Sequence, residues 1–392
     1  MLIVSLLALL LCLLPLGYWI VLMLASFHIP EPKEMQPLKY FAIAIAAHNE
    51  EIVIANTVKR LLDLEYPTQL FSVHIVADHC SDQTAELARN AGAIVHERND
   101  DPRNGKGAAL SWLFRRILED QKCDAVVIFD ADTRVDKKFL RIMNARLAMG
   151  DQIIQGRHVI SNPEDGWFPA LTWTMFMIDN RFQNLGRVNL GWSAKNMGDS
   201  ICISAEALRR VGWGDGLADD YQLRQKFLLN GIKIAYEPSA IGLGEAPLTW
   251  KQAQAQRARW IRGAYDADQQ YASKLLAAAI KTWDAALLDG ALQAYLPSYS
   301  ILTALIVVVL LLHFIAYQFG IWVPTFLVTA WVFLFGTIFL YPFIGLALEK
   351  APFKAYLVIL TGPIFIVWRI WLSLVTRFGK TNIVWVRTAH KG

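Results

Sequence analysis

Residues Val126–Asp136 read VVIFDADTRVD. Four apolar residues run directly into two aspartates separated by one alanine. A strand buried on both faces reads as a continuous apolar run, so VVIF fits the interior of a parallel sheet, and Asp130 and Asp132 mark where that strand leaves the core. Two earlier segments repeat the pattern. Tyr40–Ala47 (YFAIAIAA) stops at His48-Asn49-Glu50-Glu51, and Ile52, Ile54, Ala55, Val58, Leu61 and Leu62 follow at helical spacing. Val73–Ala77 (VHIVA) stops at Asp78-His79-Cys80-Ser81-Asp82, and Thr84–Ala91 then looks helical. Strand, polar stop and helix in repetition predict an α/β domain with a mostly parallel sheet. Ligands bind such sheets off the carboxyl ends of the strands, where all three polar stops fall.

This domain is held between membrane segments. The 392 residues are 55% hydrophobic, but the apolar character is uneven. Met1–Pro30 and Gly290–Leu348 contain no Asp, Glu, Lys or Arg. The first stretch is a full span with no preceding Lys or Arg, which predicts an anchor rather than a cleaved leader. Lys33 and Lys39 follow it, so the positive-inside rule puts residue 31 onward in the cytoplasm. The second stretch holds two helices, expected near Ser298–Gln318 and Trp322–Leu346. Ala355–Thr376 resembles a third span, but Arg369 falls in its middle and a charge at bilayer depth costs a few kcal/mol or more. A helix lying in the cytoplasmic interface, broken near Gly362–Pro363, satisfies this cost and the positive-inside rule; a third span is the alternative. Ala264–Asp289 carries Leu275, Leu276, Ile280, Trp283, Leu287 and Leu288 at helical spacing and predicts an amphipathic helix on the membrane. The expected segments are thus 1–30 (anchor), 31–265 (cytosolic domain), 266–297 (interface), 298–348 (two spans) and 349–392 (membrane helix and basic tail). A net charge of +4 points to no nucleic-acid partner, and the four cysteines show no paired spacing.

Carboxylates at i and i+2 can both turn toward one cation, and hard oxygen ligands suit Mg²⁺ or Mn²⁺. Asn104-Gly105-Lys106-Gly107 fails as a P-loop, because Asp100 stands where its first glycine belongs and Gly107 follows the lysine. No GxGxxG follows a strand. What remains is a nucleotide cradle from His48–Glu50, Asp78 and Lys106, with a metal at Asp130 and Asp132.

The blocks AAHNEE (46–51), VADHCSDQTA (76–85), GKGAAL (105–110) with FDAD (129–132), GLADDYQLRQKFLLNGIKIAYEP (216–238) and QRARW (256–260) occur in this order. Together they resemble the membrane-integrated family 2 glycosyltransferases, a group with cellulose, hyaluronan, chitin and poly-N-acetylglucosamine synthases and ceramide glucosyltransferase. The resemblance implies a nucleotide-sugar-binding type A domain. It implies that Asn49, Glu50 and Asp78 contact the nucleoside, with His48 as pocket wall, and that Lys106 faces the diphosphate. Asp132 would hold the metal with Asp130 in support. Asp220, after Asp219, falls at the catalytic-base position, where many relatives carry Glu. Gln256, Arg257, Arg259 and Trp260 fill the family's pattern, and Gln256, Arg259 and Trp260 would close over donor and acceptor. Alone, Asp219-Asp220 would read as a helix N-cap pair, and Arg257 and Arg259 as a basic helix face. The turn Gly198-Asp199-Ser200 departs from the Gly-Thr-Gly or Gly-Asn-Gly-like turn of relatives, so the acceptor can differ. The tail Trp385-Val386-Arg387-Thr388 also resembles a cytoplasmic motif of the group. The function implied is inverting transfer from a nucleotide sugar (UDP-N-acetylglucosamine or UDP-glucose) to a growing polysaccharide at the cytoplasmic membrane face. Single transfer to a lipid acceptor is the alternative; partner subunits are not specified by the sequence.

Overall fold

The computed structural model describes residues 2–99, 102–119, 122–214 and 218–378. Gly216-Leu217 of the fourth block and the Trp385–Thr388 motif lie outside the described residues. The chain begins with helix α1 (Leu2–Ala25), then β1 (Phe41–Ala47), α2 (Ile54–Leu62), β2 (Phe71–Asp78), α3 (Thr84–Asn90) and β3 (Ile94–Arg98). Next come α4 (Lys106–Ile117), β4 (Ala125–Phe129), β5 (Arg134–Val135), α5 (Phe139–Ala148) and β6 (Ile153–Ile160). Helix α6 (Trp167–Ile178) widens into a π-helical turn at Asp179–Leu185 and continues as α7 (Gly186–Asn189). Then follow β7 (Ile201–Ser204), α8 (Ala205–Val211), α9 (Asp219–Leu229), β8 (Ala235–Gly244) and α10 (Trp250–Thr282). The remaining helices are α11 (Ala285–Tyr295), α12 (Tyr299–Gln318), α13 (Thr325–Leu348), α14 (Phe353–Ile359) and α15 (Gly362–Phe378).

Among the described residues, eight strands form one sheet in the order β3-β2-β1-β4-β7-β6-β8-β5. Its first half is parallel, with Phe41 of β1 opposite both Phe71 of β2 and Ala125 of β4. The carboxyl ends of β1, β2 and β4 therefore lie side by side. β1 buries both faces, as its continuous apolar run requires. Phe41, Ile43 and Ile45 pack under α2 and α5 with Val58, Phe139 and Met143. Ala42 and Ala44 pack on the other side with Leu110 and Leu113 of α4 and Leu223 and Phe227 of α9. Beyond β4 the sheet becomes mixed: β7 runs antiparallel to β4 and β6, while β6 and β8 are parallel. The β6–β8 register breaks at Gly156/Arg157, next to Pro238, which has no N–H to give to the ladder.

Among the described residues, three helices are long and apolar enough to cross a membrane, Ile3–Ala25, Tyr299–Gln318 and Thr325–Leu348, and a fourth if the bent pair Phe353–Ile359 and Gly362–Arg377 is one span. The three close on a shared core of Cys12, Leu16, Leu302, Ile306, Trp331 and Ile338. Helices α14 and α15 bend by 49° at a break beside Gly362-Pro363, the expected position. Residues 264–289 differ from expectation. Helix α10 runs 33 residues from a capping box at Thr249 and Gln252, so residues 265 and 266 lie inside one helix. The chain turns at Trp283 (φ 57), and α11 starts afresh under the Asp284 cap. Asp289 on α11 faces the interior: it accepts from Tyr18 Oη of α1 (2.6 Å), Arg187 Nε of α7 (3.0 Å) and Arg224 Nη2 of α9 (2.7 Å). Asp289, Arg187 and Arg224 are all buried, so one carboxylate ties four helices together.

Candidate active site

A cleft opens off the carboxyl ends of β1, β2 and β4. On its inner side stand His48, Glu50 and Asp78. Asp78 is fixed by Arg98 Nη1 at 2.5 Å and His79 Nδ1 at 3.0 Å, both on Oδ1, and its carbonyl lies 2.7 Å from His48 Nδ1. Asn49 adopts the left-handed backbone (φ 57), and its side-chain oxygen accepts from Ser81 N at 2.8 Å. Asn49 thus latches the two strand-end loops together and does not line the cleft.

The diphosphate side is built around Lys106, the first residue of α4. Its Nζ donates to Asp130 Oδ1 at 2.5 Å and to the Gly198 carbonyl at 2.7 Å. Burial would lower the lysine's pKa; the charge and hydrogen bond of Asp130 outweigh it and raise it. Asp132 lines the cleft with Arg103 and Glu245 and accepts from Glu245 N at 3.3 Å. The loop carrying both aspartates is held from beneath by Asp199, which accepts from Asp130 N (2.9 Å) and Thr133 Oγ1 (3.0 Å) and pairs with His158 Nδ1 (2.8 Å). Burial would push Asp199 up, but the bond and charge of His158, with Lys106, hold it at about 2.

Asp219 and Asp220 open α9 behind Lys106. Gly107 and Gly198 measure their approach: a Cβ at Gly107 would come within 2.8 Å of Asp219 Oδ2, and one at Gly198 within 3.0 Å of Asp220 Oδ2. Gly198 also holds φ 76, which favours glycine. Asp219 accepts from Trp213 Nε1 at 3.1 Å, and Asp220 accepts from the Tyr221 N–H at 2.7 Å. Burial and then the neighbouring Asp219 push the Asp220 carboxyl up to about 6, against the charges of Lys106 and Arg259. Neither Asp219 nor Asp220 lines the cleft itself; Asp220 is linked to the Asp130–Asp132 loop through Gly198 and Lys106.

Helix α10 closes the cleft with Gln252, Ala255, Gln256 and Arg259, a stripe at i, i+3, i+4 and i+7. Arg257 and Trp260 stand on a different stripe and do not line the cleft. The Arg257 guanidinium lies over the rings of Phe168, Trp260 and Phe365. The QRARW block is thus divided between two faces of one helix.

Among the described residues, no three His, Cys, Asp or Glu side chains gather to hold a metal ion. Asp130 is engaged by Lys106, and Asp132 and Glu245 are further hard oxygen donors in the lining of the cleft. One or two carboxylates, completed by substrate phosphates and water, suit Mg²⁺ or Mn²⁺, so these residues fit a cation that arrives with a diphosphate. Sequence reasoning missed Arg98, Arg103, His158 and Glu245, which sit in no motif. It placed Asp199 only in an acceptor turn, where the structure makes it the support of the aspartate loop.

Residues 125–344 match Glycosyl transferase family group 2. The probable glycosyltransferase YdaM of Bacillus subtilis is 27% identical over 256 residues, 60% of this chain and 58% of that protein. Beta-monoglucosyldiacylglycerol synthase of Trichormus variabilis is 29% identical over 269 residues, 64% of this chain and 55% of that protein. The chain spans just over half the length of these curated relatives. In fold it is similar to the mannosyltransferase PcManGT from Pyrobaculum calidifontis, solved with GDP-Man and Mn2+, with a TM-score of 0.57 at 15% identity over 96% of this chain and 99% of that one. The mixed sheet is the type A arrangement expected of such enzymes, and the matched stretch takes in the Asp130–Asp132 loop, both aspartates of α9 and the QRARW helix. With more than half of its residues inside that match, the chain belongs to glycosyl transferase family group 2.

Proposed function

We propose that this chain transfers one sugar, with inversion, from a nucleoside diphosphate sugar to a hydroxyl of a membrane lipid at the cytoplasmic face. The observation that carries the proposal is the bridge at Lys106, which joins the Asp130–Asp132 loop to the turn against which Asp220 rests. Inverting transfer is one displacement: the bond from the anomeric carbon to the diphosphate oxygen breaks as the bond to the acceptor oxygen forms. His48, Glu50 and Asp78 bind the nucleoside side of the donor. Lys106 and Arg259 face the charge that gathers on the leaving diphosphate, in a cleft where such charges act strongly. Asp132 would hold a divalent cation, which supplies further neutralisation of that charge when bound. Asp220 takes the acceptor hydroxyl's proton, and a carboxyl held near 6 is a stronger base than an ordinary one while still ionised at pH 7.

The acceptor follows from the spans. α1, α12 and α13 close on large apolar side chains, with Trp331 fully buried at the centre. A growing polysaccharide needs a polar-lined path; this packing favours a lipid that stays in its leaflet. Similarity to a glucosyldiacylglycerol synthase supports the same reading. We place α14 and α15 in the cytoplasmic interface.

The test is to supply the purified chain with a panel of labelled nucleotide sugars and diacylglycerol, then size the products. One glycolipid per nucleoside diphosphate released is expected. A product that lengthens with time would replace the lipid by a polymer. Absence of release from every nucleotide sugar would refute glycosyl transfer.

A further inference from the structure

Three buried polar groups without a hydrogen-bond partner converge between α6, α10 and α15, on the far side of α10 from the cleft. They are Arg257 Nε, Thr172 Oγ1 and Trp368 Nε1. Thr172 is 4% exposed and Trp368 8%. Phe168 ties them to one place: it precedes Thr172 by one helical turn, its ring lies 5.6 Å under the Arg257 guanidinium, and it meets Trp368 edge-on at 6.1 Å. Trp250, tilted against Trp368 at 4.6 Å, and Phe365, 5.6 Å from Arg257, complete the walls.

All three groups can donate a hydrogen bond, and burying an unpaired donor costs about 1–3 kcal/mol. The guanidinium and the indole cannot accept and the hydroxyl can donate, so the site calls for an acceptor-rich guest. The surrounding charge agrees. Arg257 is pushed down to about 9 by burial and by Arg369 beside it. The carboxylate acting on both, Asp179, is already paired with Lys195 at 3.0 Å. Three cations thus share one anion. The outer side of α15 is apolar and open, with Ile364 68%, Val367 70% and Trp371 50% exposed.

We infer that Arg257, Thr172 and Trp368 form a binding site for the phosphate of a membrane phospholipid whose acyl chains lie along α15. A tetrahedral phosphate accepts from several directions at once, which a guanidinium, a hydroxyl and an indole N–H set around it can supply. The site is separate from the donor cleft but shares α10 with it, so a bound headgroup would brace the helix that carries Gln256 and Arg259.

The experiment is native mass spectrometry of the full chain in a phosphate-free nonionic detergent. It is titrated with phosphatidylglycerol or with a phosphate-free diglycosyldiacylglycerol of the same acyl chains. Phosphatidylglycerol is expected to bind at least about tenfold more tightly, and Arg257→Gln and Thr172→Val each to weaken it about tenfold. Thr172→Val and Trp368→Phe keep the packing while removing one donor each, so one of them replaces Arg257→Gln if that variant fails to melt cooperatively. Equal retention of the two lipids, or affinity unchanged in every folded variant, overturns the site. Displacement of phosphatidylglycerol by millimolar inorganic phosphate assigns the site to a free anion and overturns the lipid.

Discussion

Asp220→Asn separates catalysis from stability in opposite directions. The carboxyl sits near 6 rather than its ordinary 3.8 because burial and Asp219 disfavour its charge. A folded-state pKa above the unfolded value means that the folded protein bears a cost once pH rises past that value, and the cost is complete above about 6. A gap of this size corresponds to about 3 kcal/mol at full ionisation, and the partial exposure of Asp220 reduces it to about 1–2 kcal/mol. Asparagine carries no charge and keeps the shape, so the variant should be more stable than the parent by about that amount at pH 7.5. The difference should vanish near pH 4. Thermal melting across pH reads this directly. Activity should move the other way: loss of the base removes about 10²–10⁴-fold of the rate. In the parent, kcat/KM should rise with pH and level off above about 6. Nucleoside diphosphate release by Asp220→Asn within tenfold of the parent would refute the base. A melting difference that does not grow between pH 4 and 7.5 would refute the account of its raised pKa.

Other perturbations reach different links. Asp289→Asn leaves Arg187 and Arg224 buried with a neutral partner and should cost about 3–5 kcal/mol in melting experiments; a loss under 1 kcal/mol would show that the carboxylate is dispensable. Burial would raise Asp289, but Arg187 and Arg224 outweigh it and lower it, so its contribution persists above the ordinary carboxyl range and fades as pH falls through its lower folded value. Gly263→Ala places a methyl 2.5 Å from Ala218 N, at the start of the helix bearing Asp219 and Asp220. It should cost about 1–3 kcal/mol and reduce turnover more than donor binding; unchanged turnover would disconnect α10 from the base. Excess chelator should abolish nucleoside diphosphate release, with recovery on adding Mn²⁺ or Mg²⁺, while the melting temperature stays put, since among the described residues no three His, Cys, Asp or Glu side chains gather to hold an ion. Full activity in chelator would remove the cation from the reaction.

Three strands of the parallel half were legible because buried strands print themselves as apolar runs; its edge strand β3 (IVHER), only partly buried, was missed. YFAIAIAA, VHIVA and AVVIF each end within a residue of the observed strand. The mixed half was not. β6 (IIQGRHVI) and β8 (AYEPSAIGLG) carry Arg, His, Pro and Gly because they border the site and a bulge, which breaks the alternation that would reveal them. In the site, sequence order could bring the aspartate loop, Lys106 and Asp220 into one list but could not assign contacts. Lys106 claims Asp130, a pairing 24 residues apart that no local pattern encodes. The division of QRARW was within reach: at 3.6 residues per turn, positions 256 and 259 share a face with 252, while 257 and 260 belong with 253. The break at Trp283 was hidden because a tryptophan in the left-handed region has no turn signature.

The carboxylate of Asp289 receives Tyr18 from the first membrane helix and Arg224 from the helix that begins with Asp219 and Asp220. Anchor and enzyme are therefore one cooperative body. A fragment cut after residue 30 to make a water-soluble protein would lose the tyrosine hydroxyl that accepts from the buried Arg187 and donates to the carboxylate holding Arg224, and with it part of the wall that keeps water from them. Solubilisation by truncation and retention of a rigid α9 are incompatible aims for this chain, so it has to be handled whole, in detergent or lipid.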